Sequence, residues 1–272
     1  MSMIAVNGTR LHYRDKGTGE PLVFVHGLGS SGQDWAKQAE AFADRYRVIT
    51  FDVRGHGQSE KPDGPYSIPL FAADTAALLR ALEAVPATIV GLSMGGMIAF
   101  QLAVDAPDLV KRLVVVNSMP EAKLDSLRDR WIYWSRRLVS SLLGMRATGE
   151  LIARRIFPKP EQGTLRHEFI ERWAANDKQA YLATIDAIAG WSVVDRLNDI
   201  TCPALVVAAA DDYTPVAVKR DYVDRMPNAT LEVIEDSHHA TPVERPMTFN
   251  RVLEAFLQST DAAERVPSRE PS

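Results

Sequence analysis

Near-continuous apolar runs recur along the chain: Leu22-Val23-Phe24-Val25, Arg47-Val48-Ile49-Thr50-Phe51, Ala87-Thr88-Ile89-Val90, Leu113-Val114-Val115-Val116, Ala204-Leu205-Val206-Val207-Ala208 and Thr230-Leu231-Glu232-Val233-Ile234. A strand with one wet face alternates apolar and polar residues. A run without that alternation needs cover on both faces, the condition of a parallel sheet held between two layers of helices. Helical patterns at 34–44, 68–82, 94–106, 217–225 and 246–258 separate most of the runs. Strand and helix in alternation make the fold class α/β, with a mainly parallel central sheet. Two shorter segments, 4–6 and 10–14, flank Asn7-Gly8, a dipeptide whose residues both accept positive φ, so the chain is expected to open with a hairpin.

The alternation stops once. From Asn117 to Asn198 the chain reads as helices without a buried strand, which divides it into a core over 1–118 and 198–259 and an inserted helical cap over 119–197. The insert holds Trp131, Trp134, Trp173 and Trp191, four of the five tryptophans. The polar segment 260–272, with two prolines, is expected to be a flexible tail.

Composition narrows the function classes. At 46% hydrophobic and 24% charged residues the chain is no disordered polymer. Lys+Arg 31 against Asp+Glu 35 gives a net charge of −4, so no overall positive field draws it to nucleic acid or anionic lipid. A single cysteine, Cys202, excludes an internal disulfide and has no zinc-ligand cluster around it. Without a signal peptide or an apolar run long enough for a span, a soluble cytoplasmic protein is expected, with neither nucleic-acid nor membrane partner.

The segment most charged with chemistry is Thr88-Ile89-Val90-Gly91-Leu92-Ser93-Met94-Gly95-Gly96-Met97. It runs as strand, G-x-S-x-G, then helix. Such a turn is sharp enough to strain its serine, and glycine on either side removes a collision. Ser93 Oγ then projects at a helix start, where free N–H groups favour developing negative charge. A serine hydroxyl is a poor nucleophile alone and needs a base held by a third group. Of the six histidines only His238 and His239 follow a late strand, and Asp211 and Asp212 end the strand before it.

In these residues the chain resembles the α/β-hydrolase fold superfamily, in its esterase, lactonase and C–C hydrolase branch with a helical cap. The likeness spans 8–258 and rests on four motifs in order: Phe24-Val25-His26-Gly27-Leu28-Gly29-Ser30-Ser31, Asp52-Val53-Arg54-Gly55-His56-Gly57-Gln58-Ser59, the Gly91–Gly95 elbow and the histidine loop. The family pattern places its catalytic histidine five residues before a glutamate and seven before a proline; Glu244 and Pro246 therefore select His239. It places the acid three residues after a glycine at the strand end. Ala209 stands in that glycine's place, which points to Asp212 and leaves Asp211 as the alternative.

The resemblance implies Ser93, Asp212 and His239 as the catalytic set, the backbone N–H groups of Leu28 and Met94 as an oxyanion hole, and no metal or organic cofactor. His26, Asp52, Arg54 and His56 are expected to stabilise loops. The implied reaction is hydrolysis of a small to medium, largely apolar carboxylic ester through an acyl-serine, with Trp35, Trp131, Trp134 and Trp191 lining the substrate pocket. An enol-lactone or C–C bond hydrolase, in which cap arginines such as Arg136 pair with a substrate carboxylate, is an alternative. A cofactor-free perhydrolase or haloperoxidase and a non-catalytic small-molecule receptor on the same fold are the others. An ester or lactone is the expected small-molecule partner.

Overall fold

The computed structural model describes residues 2–264. β1 (Ser2–Val6) and β2 (Thr9–Lys16) form the opening hairpin, with Asn7 and Gly8 at its tip in the left-handed region, φ 46° and 72°. β3 (Pro21–Val25), β4 (Arg47–Phe51), β5 (Ala87–Leu92), β6 (Val110–Val116), β7 (Ala204–Ala209) and β8 (Ala229–Ile234) join it in one eight-stranded sheet of order β1-β2-β4-β3-β5-β6-β7-β8. β2 runs antiparallel to β1 and β4, and every pair from β4 to β8 is parallel. From β3 the chain passes first to one neighbour, β4, and later to the other, β5. That reversal opens a crevice at the carboxyl ends of β3 and β5, where α/β sheets bind ligands.

The unalternating runs are explained by two cores, one on each face. Leu22, Phe24, Val90, Val114, Leu205 and Val207 pack on one side against α1 (Ala36–Phe42) and α9 (Pro246–Glu264). Val23, Val25, Ile89, Leu113, Val115 and Val206 pack on the other against α2 (Ile68–Ala81) and α3 (Met94–Asp105). Each such side chain contributes about 1.5–3 kcal/mol by leaving water.

Between β6 and β7 lie α4 (Leu127–Ile156), kinked at Gly144 (φ 79°, ψ −179°), α5 (Gly163–Ala174) and α6 (Lys178–Ile188). Entry and exit of this excursion are stitched together: Ala122 N donates to Trp191 O at 2.8 Å, and Gly190 N to Ala122 O at 2.8 Å. The excursion buries a small core of its own, including Met145, Phe157, Phe169, Trp173 and Tyr181, which seats on Leu28. α7 (Val216–Val223) and α8 (Thr241–Glu244) complete the helices used below.

The last helix runs further than the sequence suggests. α9 continues to Glu264, because the buried Arg112 side chain donates to Thr260 Oγ1 at 2.6 Å and pairs with Asp261. Residues 260–264 are therefore helix, and 265–272 lie outside the described residues. Among the described residues no helix is long and apolar enough to cross a membrane.

The loop after β4 is tied to α2 by a buried ion pair. Arg54 Nη2 and Nε reach Asp74 Oδ1 and Oδ2 at 2.6 and 2.7 Å, and Asn7 Nδ2 donates to Asp74 Oδ1 at 2.7 Å. Removing the cation leaves a buried carboxylate unpaired. Arg54→Leu is expected to lower unfolding free energy by about 3–5 kcal/mol in urea titrations, and Asp74→Asn in the same background should recover part of the loss.

Candidate active site

Ser93 stands between β5 and α3 at φ 54°, ψ −117°. The flanking glycines make room less for the serine than for backbone: a Cβ on Gly91 would overlap the Gly95 carbonyl, and one on Gly95 the Val25 carbonyl. Strand end, elbow and the β3 loop therefore touch without side chains between them. Ser93 N donates to Val116 O at 2.9 Å, and Ser118 Oγ donates to Ser93 O at 2.6 Å, which pins the strained residue from β6. Met94 opens α3, so its N–H has no acceptor within the helix. Among the described residues neither the Leu28 nor the Met94 amide donates to another backbone group.

The β3 loop is braced by His26. Its Nδ1 lies 2.8 Å from Gly27 O, and its Nε2 accepts from Val53 N at 2.9 Å. Both nitrogens are committed, and burial lowers the imidazole pKa. His56, packed 5.2 Å away between ring centroids, bonds Arg54 O through Nδ1 at 3.0 Å. Asp52 accepts from Gly32 N and Gln58 N at 2.8 Å each and from His12 Nδ1 at 3.1 Å. These bonds join the loops after β3 and β4 to one another.

The Asp-Asp pair after β7 divides cleanly. Asp211 is exposed and bonds through its backbone to Ser237 O. Asp212 has no exposed side-chain surface: Oδ1 lies 2.9 Å from His239 Nδ1 and accepts from Tyr213 N at 2.8 Å, while Oδ2 accepts from Lys219 Nζ at 2.8 Å and from Thr214 Oγ1. Burial by itself would raise this carboxyl's pKa. The hydrogen bond and charge of His239, then those of Lys219, outweigh burial and hold it well below the usual carboxylate range.

The adjacent His238 is taken by Glu244, whose Oε2 accepts from His238 N at 2.6 Å and whose Oε1 lies 2.9 Å from its Nδ1. That explains the glutamate in the family's spacing: it shapes the loop that presents His239. Asn117, at the end of β6 with φ 45°, shapes the same loop from below. Its Nδ2 donates to His239 O and Thr241 Oγ1 at 2.9 Å each, and its Oδ1 accepts from Ala209 N at 2.8 Å. At His239 Nε2 the hydrogen bond comes from Tyr213 Oη, at 2.7 Å.

Sequence reasoning missed Lys219, Asn117 and Tyr213. Lys219 carried a signal, since it shares the buried stripe of α7 with Tyr222 and Val223, a position where a lysine needs an anionic partner. The expected pocket residues are corrected. Trp35 is wholly buried under the sheet, 4.9 Å from Phe24 and 6.0 Å from Phe249 between ring centroids. Trp191 belongs to the core and donates Nε1–H to Gln101 Oε1 at 2.7 Å. Trp131 and Trp134 lie on the outer face of α4, 70% and 61% exposed. A cavity of about 190 Å³ beside Leu28 has Lys123, Asp129, Ile132, Tyr133, Arg136 and Ile185 among its walls; Ser93, Asp212 and His239 are not in its lining. Among the described residues no cluster of His, Cys, Asp or Glu is arranged to hold a metal ion.

Residues 20–144 match the model of the family described as alpha/beta hydrolase fold. The chain is 33% identical over 263 residues to a putative non-heme bromoperoxidase, BpoC, of Mycobacterium tuberculosis, covering 93% of this chain and 99% of that protein. It belongs to the α/β-hydrolase fold family. It is also 32% identical to 3-oxoadipate enol-lactonase 2 of Acinetobacter baylyi, over 87% of this chain and 88% of the relative. Among solved structures, an enol-lactonase from Burkholderia xenovorans LB400 superposes with a TM-score of 0.88 at 27% identity, covering 94% of this chain and all of that one.

The buried histidines of this α/β hydrolase give its stability a pH signature. Burial, then the neighbouring His26, lowers the His56 pKa from 6.5 to about 3. Below pH 6.5 the unfolded chain binds a proton that the folded one refuses. The contribution of neutral His56 is therefore complete above that value and is lost as pH falls towards 3. Urea titrations between pH 6 and 4 should show stability falling, with the slope shallower by about 1.4 kcal/mol per pH unit in His56→Asn.

Proposed function

We propose that this α/β hydrolase cleaves a carboxylic ester or lactone by acyl transfer through Ser93. The observation that carries the proposal is the 2.9 Å contact between Asp212 and His239 Nδ1 at strand ends next to the strained serine. Asp212 fixes the ring so that Nδ1 carries the proton and Nε2 is left to act as base. As Ser93 Oγ attacks a carbonyl carbon, Nε2 takes its proton, and the Leu28 and Met94 amides receive the negative charge forming on the carbonyl oxygen. The proton then passes to the leaving oxygen, and water releases the acyl group by the same route. In this scheme α4, α5 and α6 cap the nucleophile.

One observation favours a substrate with a carboxylate. Arg136 lies in the wall of the cavity beside Leu28, and its Nε donates to the Tyr181 hydroxyl at 2.9 Å. Asp129 in the same wall is bonded to Ser126, and among the described residues no carboxylate is paired with Arg136. A guanidinium so placed suits an acid group on the acyl part of an ester or lactone, and the relative named for 3-oxoadipate enol-lactone carries such a group in its name.

Ser93→Ala should lower kcat/KM on a panel of aryl esters and lactones by at least about 1,000-fold while leaving circular dichroism and thermal unfolding unchanged. Undiminished turnover in the variant would sink the assignment. In the same panel, Arg136→Gln should cost about 10- to 100-fold in kcat/KM for a half-ester bearing a carboxylate and little for its neutral counterpart.

A further inference from the structure

The nitrogen that the proposed mechanism needs as base is already occupied. Tyr213 Oη lies 2.7 Å from His239 Nε2, and the two rings lie 4.2 Å apart with a 30° tilt. On the phenol, Arg155 places its guanidinium carbon 4.7 Å from the ring centre, reaching down from α4. The Ser93 side chain faces the same hydroxyl. Burial of that hydroxyl end, then the charge of Asp212, pushes the phenol pKa well above its usual value, so it stays protonated and donates to Nε2.

During hydrolysis three oxygens must in turn come within hydrogen-bond reach of Nε2: Ser93 Oγ, the departing oxygen of the leaving group and the incoming water. In the free protein Tyr213 Oη holds that place. The residue is nonetheless 44% exposed and sits in the loop between Asp212 and the start of α7 at Val216. Its ring can leave towards solvent without disturbing either core.

We infer that Tyr213 occupies the leaving-group subsite of this enzyme, a slot between the His239 imidazole and the Arg155 guanidinium, and that substrate must displace its phenol before Ser93 can pass its proton to the base. This inference rests on the hydrolase reading and extends it. The slot holds a flat ring whose oxygen meets Nε2, so a leaving group that is a phenol or an enol replaces both the stacking and the hydrogen bond. A short alkyl alcohol replaces the hydrogen bond alone. Tyr213 is thus a positioning residue that selects the alcohol side of the substrate.

Two variants test the inference. In Tyr213→Phe the competing hydrogen bond is gone. kcat/KM for phenyl acetate should rise about two- to tenfold, the weight of one hydrogen bond, and the ¹⁵N resonance of His239 Nε2 should move downfield towards an unbonded acceptor. In Tyr213→Ala the slot is empty: added phenol should return the Nε2 resonance upfield, and ethanol at the same concentration should not. A fall or no change in kcat/KM for Tyr213→Phe, or an Nε2 resonance indifferent to phenol in Tyr213→Ala, overturns the assignment. Wild-type protein without Ser93-dependent turnover of phenyl acetate would instead sink the hydrolase reading, while the nitrogen resonance would still decide the place of Tyr213.

Discussion

A serine held at φ 54°, ψ −117° occupies backbone space that costs about 1–3 kcal/mol, and it persists only where its surroundings leave no alternative. Here they leave none. Gly91 and Gly95 let the end of β5, the first turn of α3 and the carbonyl of Val25 close on one another, while Val116 at the end of β6 and Ser118 just beyond it grip the backbone of Ser93 from the other side. The elbow therefore joins three neighbouring strands at their carboxyl ends. The proposed mechanism draws on the first amides of α3, left without acceptors inside the helix, and on the amide of Leu28.

The second half of the site is an electrostatic construction. Asp212 is a fully buried anion, tolerable because His239, Lys219, Thr214 and the Tyr213 amide supply hydrogen bonds to both its oxygens. Lys219 is equally buried, with Thr214 O and Oγ1 as its further acceptors at 2.8 and 2.9 Å. Charge and countercharge fix the end of β7 against α7. Asn117 and Glu244 then fix the loop carrying His239 to the same strand end, so the imidazole meets the carboxylate through Nδ1 and the Tyr213 hydroxyl through Nε2.

The sheet, its flanking helices and the elbow were legible in the sequence because each depends on a local pattern: unalternating apolar runs, helical spacing, and glycines around one serine. By the family's spacing Glu244 and Pro246 point to His239, and in the structure Glu244 is bonded to His238 while His239 Nδ1 lies 2.9 Å from Asp212. The pocket was not legible. Which face of a helix meets a cavity depends on how the helix is seated, and α4, broken at Gly144, turns Leu127, Trp131, Trp134 and Leu138 outward. Trp35 and Trp191 went instead to the cores that their size suits. Lys219 and Tyr213 lay beside residues already singled out, yet what they do depends on contacts that only the folded chain makes.

The central claim is that Ser93 is a nucleophile activated by His239, and mapping a covalent adduct tests it most directly. Wild-type protein treated with a fluorophosphonate should carry one equivalent of label on the peptide containing Ser93. His239→Ala, folded to the same stability, should label at least about 1,000-fold more slowly. Label on another residue, or equal rates in the two proteins, would contradict the account.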